Sequence, residues 1–138
     1  VNLGGTQHLI DATKSHAPDA FFVFVSSYAA FGPVCPADPE RSPVDPCYPD
    51  DNYGLQKLTA ESWLSYSGLR QCSLRVGAVM DLQNLMPPHP CYRPFVFMVS
   101  LDQPEHGIDV RDVARAIAAA AVVQPDDDDL EVGTAVSL

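Results

Sequence analysis

The sequence is poor in basic residues and has no hydrophobic run near the roughly 20 residues that cross a membrane. Eight lysines and arginines stand against eighteen aspartates and glutamates, so the formal net charge is -10. Such a surface repels phosphate backbones and anionic lipids, which argues against nucleic-acid and membrane partners. The first residues, VNLGGTQHL, also lack the pattern of a secretory leader. We therefore expect a soluble, cytoplasmic protein.

Paired cysteines are also lacking. None of the four cysteines belongs to a CxxC motif or has a histidine at zinc-ligand spacing; they are Cys35, Cys47, Cys72 and Cys91. A metal site is therefore not expected, and free thiols are the simplest interpretation. Cys35 and Cys47 flank one proline-rich loop and could pair in an oxidising compartment, which the sequence leaves open.

The hydrophobic pattern of the first eighty residues predicts alternating helices and strands. Residues 5–16 have apolar side chains at helical spacing, and residues 20–27, AFFVFVSS, form an unbroken run typical of a buried parallel strand. A second helix is predicted over residues 52–66 and a second buried strand over residues 71–80. This order predicts an α/β fold with a parallel sheet and crossover helices.

The other segments are less regular. Residues 28–51 contain six prolines and no periodic pattern, which predicts a long ordered loop of the kind that often has a function. Residues 81–104 are also irregular. A short strand is expected around Ile108, and an alanine-rich helix follows over residues 111–123. The last nine residues, LEVGTAVSL, could form a final strand.

A tyrosine and a lysine stand four residues apart at the start of the second predicted helix. Residues at this spacing share a helix face with Cβ atoms roughly 6 Å apart, so Tyr53 and Lys57 can address one small volume. A cation beside a phenol favours the ionised phenol, which can exchange a proton with a substrate C–OH or C=O group. A hydroxyl partner is expected at the carboxyl end of the preceding strand, where Ser26 and Ser27 stand.

The order of segments around this pair is more specific than the pair itself, which also occurs on surface helices by chance. It resembles the extended branch of the short-chain dehydrogenase/reductase superfamily, the NAD-dependent epimerase/dehydratase family. The matching segments span nearly the whole chain: VNLGGT (1–6), FVFVSSYAAFG (22–32), YGLQK (53–57), LRVGAV (74–79) and IDVRDVARAI (108–117).

The resemblance implies catalytic roles for four residues. Tyr53 would be the general acid/base, Lys57 would bind the nicotinamide ribose and assist ionisation of the tyrosine, and Ser27 would orient the substrate oxygen. Asn2 would help to hold a proton-relay water. Ser26 matches the family less well than Ser27.

The resemblance also implies an NAD or NADP cofactor and a small-molecule substrate. Gly77 and Ala78 would pass close to the nicotinamide, next to Tyr53 and Lys57. The substrate remains open, because members of the family build specificity in the variable region that follows LRVGAV.

The family's first strand and its Gly-x-x-Gly-x-x-Gly loop, which cradles the cofactor pyrophosphate, have no counterpart here. Gly4 and Gly5 are followed by TQHLIDATKSHAP, without a third glycine at the required spacing. We expect a fragment with an incomplete Rossmann-like sheet. Residues 1–80 would be the C-terminal half of an NAD(P)-binding domain, and residues 81–138 a substrate-side region with a closing helix and strand. Alone, it would fold marginally, aggregate or complete its sheet as a homo-oligomer.

Two functions of different class fit these residues. The first is an NAD(P)-dependent oxidoreductase or epimerase/dehydratase that acts on a hydroxyl or carbonyl group, with Tyr53 as the general acid/base. The alternative is a catalytically inactive fragment or a non-enzymatic relative that senses a ligand or binds a partner. Ser27, Tyr53 and Lys57 argue against this alternative, because a sensor needs none of them for chemistry.

Other polar residues are expected to serve structure. Asp109 and Asp112 stand at capping positions of the alanine-rich helix. Arg75, inside a predicted strand, could meet a phosphate or pair with a local carboxylate. His8 and His106 have no orienting partner in the sequence.

Overall fold

The computed structural model describes residues 2–33, 41–81, 107–124 and 135–137. Its elements alternate between helix and strand, as predicted. In chain order they are α1 (Asn2–His16), β1 (Phe22–Ser27), a 3₁₀ helix (Tyr28–Phe31), α2 (Asn52–Ser65), β2 (Gln71–Val76), β3 (Ala78–Met80), β4 (Gly107–Asp109), α3 (Val110–Val123) and β5 (Ala135–Ser137). In these ranges, no helix combines the length and the apolar character that a membrane crossing requires.

The main sheet is parallel and has the order β1-β2-β5. Phe22 lies opposite Gln71 and Ser27 lies opposite Val76, so β1 and β2 end at the same edge. The predicted final strand is confirmed, since β5 pairs with the middle of β2. The α/β fold with a parallel sheet is therefore confirmed, and the carboxyl edge holds the end of β1.

The two sides of the sheet bury different clusters. Phe22 and Phe24 pack with α1 and α2, against Ile10 and Leu64. Val23 instead packs with a cluster that includes residues of β2 and Val113 of α3. Successive side chains of a strand point to opposite faces, so α1 and α2 cover one face and α3 the other.

The prediction of a single strand over residues 71–80 was wrong. The strand breaks at Gly77, and β3 leaves the main sheet to pair in parallel with β4. Every residue of β2 is buried, whereas all three residues of β3 are exposed. The pattern hid this change because the residues on both sides of the break, Val76 and Ala78, are apolar, and only the glycine between them marked it.

Aspartate side chains cap two helices, and the cap at Asp109 agrees with the prediction. The Asp51 side chain accepts a hydrogen bond from Gly54 N at 2.6 Å at the start of α2, and Asp109 accepts one from Arg111 N at 2.8 Å at the start of α3. α1 begins at Asn2, three residues before the predicted start. Glycine only weakens a helix by about 1 kcal/mol, which the following turns overcome. The predicted irregular region falls, after Asp81, outside the described residues, and so does His106.

Candidate active site

Two neighbouring serines end β1, and their surroundings differ. Ser26 is 4% exposed and its hydroxyl donates to the carboxylate of Glu61. Ser27 is half-buried and accepts a hydrogen bond from Ala29 N at 3.2 Å, as the N-cap of the 3₁₀ helix. That contact uses Ser27 as an acceptor, so its hydroxyl hydrogen can still be donated. The surroundings therefore suit Ser27 to a substrate contact better than Ser26.

The first turn of α2 packs directly on the segment that follows Ser27. A Cβ at Gly54 would clash with the Ala29 carbonyl oxygen, and it would lie 2.9 Å from the carbonyl carbon and 3.1 Å from Asp51 Oδ1. Only glycine permits this approach of two backbones. We call this Gly54 to Ala29 contact the β1–α2 junction. It holds Tyr53, the residue before Gly54, at the same end of the sheet as Ser27.

Tyr53 and Lys57 share one side of α2, as the spacing predicts. Tyr53 is 47% exposed, and the Lys57 ammonium lies 5.7 Å from the centroid of its ring. The ammonium donates to the carbonyl oxygen of Val25 at 2.8 Å and lies 5.1 Å from the centroid of the Phe24 ring. The cation is therefore held beside the phenol by a strand carbonyl and the Phe24 ring.

The Val25 carbonyl oxygen, which accepts the hydrogen bond from Lys57, lies on the edge of β1 that faces away from β2. Phe22 N donates to Arg70 O, just before β2, so the backbone groups of alternate residues, including Val25, point the other way. Among the described residues no strand pairs with β1 on that side. A lysine bound there also discourages pairing with another chain's strand.

A small cavity opens beside Lys57, between α1 and α2. It has a volume of about 90 Å³, and its walls are Thr6, Phe24, Gln56, Lys57 and Ala60. The cavity is too small for a drug-sized ligand, which fills about 300 Å³ or more. The cavity alone therefore cannot hold a ligand of that size.

Three other predicted site residues are located by the backbone. Gly77 is half-buried in the break between β2 and β3, Ala78 is exposed at the start of β3, and Asn2 is the first residue of α1. Gly77 and Ala78 thus follow the strand adjacent to the one that ends at Ser27. The predicted roles of these residues stay predictions.

The donors around Tyr53 suit the ribose end of a nicotinamide cofactor. A phenol and an ammonium can bind ribose hydroxyls, and Gly77 and Ala78 present little side chain at the end of β2. The described residues of α1 do not form a glycine-rich loop that could bind the cofactor phosphates. Gly4 and Gly5 lie inside that helix, and a Cβ on either would meet no atom within 4 Å. The described residues therefore fit the nicotinamide end of the cofactor but not its pyrophosphate.

A buried ion pair lies beneath the site. Arg75 binds the Glu61 carboxylate with Nη2 to Oε2 at 2.7 Å and Nε to both oxygens at 3.1 and 3.2 Å. Burial opposes the charge of Arg75, but the hydrogen bonds and charge of Glu61 outweigh it, so the pKa of Arg75 is raised. The sequence left open whether Arg75 meets a phosphate or pairs with a carboxylate, and in the structure it pairs with a carboxylate. Sequence reasoning missed Glu61, although it stands four residues after Lys57.

Two of the four cysteines lie in the described ranges, and both are free thiols. Cys47 is partly buried in the loop and Cys72 is buried in β2; Cys35 and Cys91 lie outside the described residues. Burial raises the pKa of both thiols, and at Cys47 the positive charge of Arg75 partly opposes the effect. In the parts of the chain that are described, no three His, Cys, Asp or Glu side chains gather as a metal site would require.

Solved structures share this fold. The dTDP-glucose 4,6-dehydratase of Bacillus anthracis, in complex with NAD, aligns over 99% of this chain and 46% of its own at a TM-score of 0.78 and 16% identity. RMD of Pseudomonas aeruginosa, complexed with NADPH, aligns over 100% and 50% at 0.71 and 22%. The GalE-like L-threonine dehydrogenase of Cupriavidus necator aligns over 99% and 54% at 0.75 and 17%. At these identities the likeness shows the fold alone, and this chain spans about half the length of these proteins.

Comparison of sequences defines the family. A search of curated proteins found no significant match. The model of the NAD dependent epimerase/dehydratase family matches residues 1–89, which is more than half of the chain and includes Ser27, Tyr53 and Lys57. This chain therefore belongs to the NAD-dependent epimerase/dehydratase family.

Proposed function

We propose that this chain carries the acid–base residues of an NAD(P)-dependent oxidoreductase or epimerase/dehydratase that acts on a hydroxyl or carbonyl group. Tyr53 takes the proton of the substrate hydroxyl as that carbon is oxidised, and returns it in the reverse direction. When bound, NAD or NADP supplies the hydride acceptor or donor. Family membership supports the reaction class, and the exposed phenol beside a fixed ammonium supports the role of Tyr53.

The other site residues then have distinct roles. Lys57 holds its positive charge beside the phenol and binds the ribose hydroxyls of the cofactor. Ser27 donates its hydroxyl hydrogen to the reacting oxygen, and Asn2 helps to hold a proton-relay water. Gly77 and Ala78 lie along the nicotinamide, where a larger side chain would interfere.

The β1–α2 junction is the observation that carries this proposal. Gly54 lets the backbone that follows Tyr53 approach the Ala29 carbonyl two residues after Ser27. A phenol and a hydroxyl can act on one substrate oxygen only if their separation is fixed, and a misplacement of about 1 Å can cost roughly 100-fold in rate. Direct backbone contact fixes this separation better than flexible side chains do.

The substrate class is proposed from the relatives. Several proteins of this fold carry the names of enzymes for nucleotide sugars, including the dTDP-glucose 4,6-dehydratase and a UDP-galactose 4-epimerase. We therefore propose a panel of UDP- and dTDP-linked sugars as the first substrates to assay. L-Threonine should be included, because one relative is named as a dehydrogenase of that amino acid.

The test combines cofactor binding with one matched pair of variants. We expect NAD or NADP to change the fluorescence of Trp63, which lies on α2, with a saturable response. Tyr53→Phe should lower turnover by about 10²- to 10⁴-fold, the usual contribution of general acid–base catalysis, which is a larger loss than that of one hydrogen bond to the cofactor ribose. The control is Tyr66→Phe, since Tyr66 is 91% exposed at the other end of the same helix.

The outcomes separate the parts of the proposal. Absence of saturable binding, or turnover that survives Tyr53→Phe, contradicts the proposed function. Equal losses in Tyr53→Phe and Tyr66→Phe would point to a general effect on α2 instead of proton transfer.

A further inference from the structure

A cluster of contacts beneath the proposed site joins five segments of the chain. Arg75 of β2 binds Glu61 of α2, and its Nη1 donates to the backbone carbonyl of Pro43 in the loop at 3.2 Å. Its guanidinium lies 4.5 Å from the centroid of the Phe31 ring, in the 3₁₀ helix. Ser26 of β1 donates to the same Glu61. We call these five groups the Arg75 cluster.

The strand register explains why the cluster forms. Ser26 and Arg75 are Cα partners in the parallel pair of β1 and β2, so their side chains leave the sheet on the same side. That side is covered by α2, where Glu61 meets both. Three charged or polar groups are thus satisfied together within a buried space, as burial of charge requires.

The cluster continues the line of catalytic residues. Tyr53, Lys57 and Glu61 follow one another at intervals of four on α2, so they form one stripe along the helix. The exposed end of the stripe is Tyr53 and the buried end is Glu61. Rotation of α2 about its axis would therefore move the phenol and the carboxylate together.

We propose that Glu61 and Arg75 are positioning residues that set the rotation of α2 and thereby align Tyr53 and Lys57 with Ser27. Apolar contacts such as that of Leu64 bury area but tolerate small rotations, because they have no preferred direction. A carboxylate that accepts two guanidinium nitrogens and one hydroxyl has a defined direction. This inference rests on the proposed function for its effect on turnover, but not for its effect on α2.

The contact with Pro43 extends the same alignment to the loop. Arg75 holds the Pro43 carbonyl and packs on Phe31, which is fully buried and accepts a hydrogen bond from Tyr48 N at 3.0 Å. A lysine has no planar fork and cannot satisfy a carboxylate and this carbonyl in the same way. Geometry and not charge alone should therefore be required at position 75.

The variants are chosen to keep the core filled. Glu61→Gln retains size but removes the charge, Arg75→Lys retains the charge but removes the fork, and Ser26→Ala removes one hydrogen bond. The control is Asp112→Asn, which alters the exposed pair of Asp112 with Arg115 at 2.7 Å on α3. Thermal melts identify the variants that fold, and Ser26→Ala is the mildest of the three.

The first measurement is amide hydrogen exchange, which does not depend on turnover. Glu61→Gln and Arg75→Lys should accelerate exchange over residues 53–58 and 42–48 while leaving α3 unchanged. Ser26→Ala should do the same to a smaller extent. Exchange over residues 53–58 that stays at the wild-type rate in every folded variant overturns the proposal, whether or not the wild type turns over.

The second measurement is kinetic. The rate constant kcat should fall by about 10- to 100-fold in Glu61→Gln and Arg75→Lys, as expected of a misaligned acid/base, and KM for the cofactor should rise by a smaller factor, because Lys57 is displaced but still present. Wild-type levels of kcat in Arg75→Lys would also overturn the proposal. If the wild type has no activity with NAD or NADP, the proposed function fails and the exchange data still decide the role of the cluster.

Discussion

The region beneath the candidate site and the helix α3 both contain arginine–carboxylate pairs, but in opposite surroundings. The Arg75 and Glu61 side chains are 7% and 8% exposed, whereas those of Arg115 and Asp112 are 78% and 55% exposed. Both pairs have a contact of 2.7 Å. Water screens the pair on α3, so its partners can separate at little cost, while the buried partners cannot.

Two glycines, Gly54 and Gly5, also lie in opposite surroundings. At Gly54 in α2, a Cβ would strike the backbone of Ala29, whereas at Gly5 in α1 a Cβ would meet nothing within 4 Å. One helix thus needs its glycine for a close approach and the other does not.

The largest expected effect comes from removal of one charge of the buried ion pair. Glu61→Leu leaves Arg75 buried without its partner, and we expect a loss of about 3–5 kcal/mol in the free energy of unfolding. Asp112→Ala removes the partner of an exposed arginine and should change stability by no more than about 1 kcal/mol. Urea unfolding followed by circular dichroism measures both.

The double variant Glu61→Leu/Arg75→Met sharpens the result. Replacing both charges by apolar groups of similar size should restore much of the stability, because no ion is left unpaired. The double variant should regain stability but not the alignment of Tyr53 with Ser27. A Glu61→Leu variant as stable as Asp112→Ala would contradict the burial argument.

The sequence predicted much of the fold, for identifiable reasons. The predicted burial of the run FVFVSS was wrong, because Ser26 is the only buried residue of β1 and Val25 is exposed. The run nevertheless forms a strand, and Asp109 caps the helix that follows it, as predicted. Such signals are local, so they can be read without coordinates. The break at Gly77 was missed because it depends on β4, which lies about thirty residues further on and was not connected to β3 by any local pattern.

The candidate site divides in the same way. Tyr53 and Lys57 could be paired because helical spacing is a local property. Ser26 and Ser27 could be ranked from the sequence only through the family resemblance, whereas the structure distinguishes them by the contact of Ser26 with Glu61. Glu61 itself was missed because its significance comes from Arg75, fourteen residues away on another element.

Substitution of Gly54 and Gly5 should have a smaller effect on stability than removal of the buried charge. Gly54→Ala must displace the Ala29 carbonyl or the first turn of α2, and we expect a loss of about 1–3 kcal/mol, as for other overpacked sites. Gly5→Ala should instead stabilise α1 by up to about 1 kcal/mol, because alanine favours helix and the space is open. Thermal melts of the two variants measure the difference. Equal shifts in the same direction would mean that the β1–α2 junction is not tight.

The smallest expected effect is a difference in chemical reactivity between the two described cysteines, Cys47 and Cys72. Burial raises the pKa of both thiols, so the reactive thiolate is scarcer than in a peptide at neutral pH. Cys47 is only partly buried, and we expect iodoacetamide to modify it before Cys72. Mass spectrometry of the tryptic peptides 42–57 and 71–75 separates the two sites.

The pH dependence of this labelling has a defined sign. Folding keeps the Cys72 thiol protonated, so its contribution to stability is complete below about pH 8.5 and declines above it, as the unfolded thiol ionises. Labelling of Cys72 should therefore rise with pH, because alkaline pH both ionises the thiol and favours opening. Equal rates at Cys47 and Cys72 at neutral pH would show that β2 opens as readily as the loop, and that the contrast between a rigid sheet core and its surroundings is wrong.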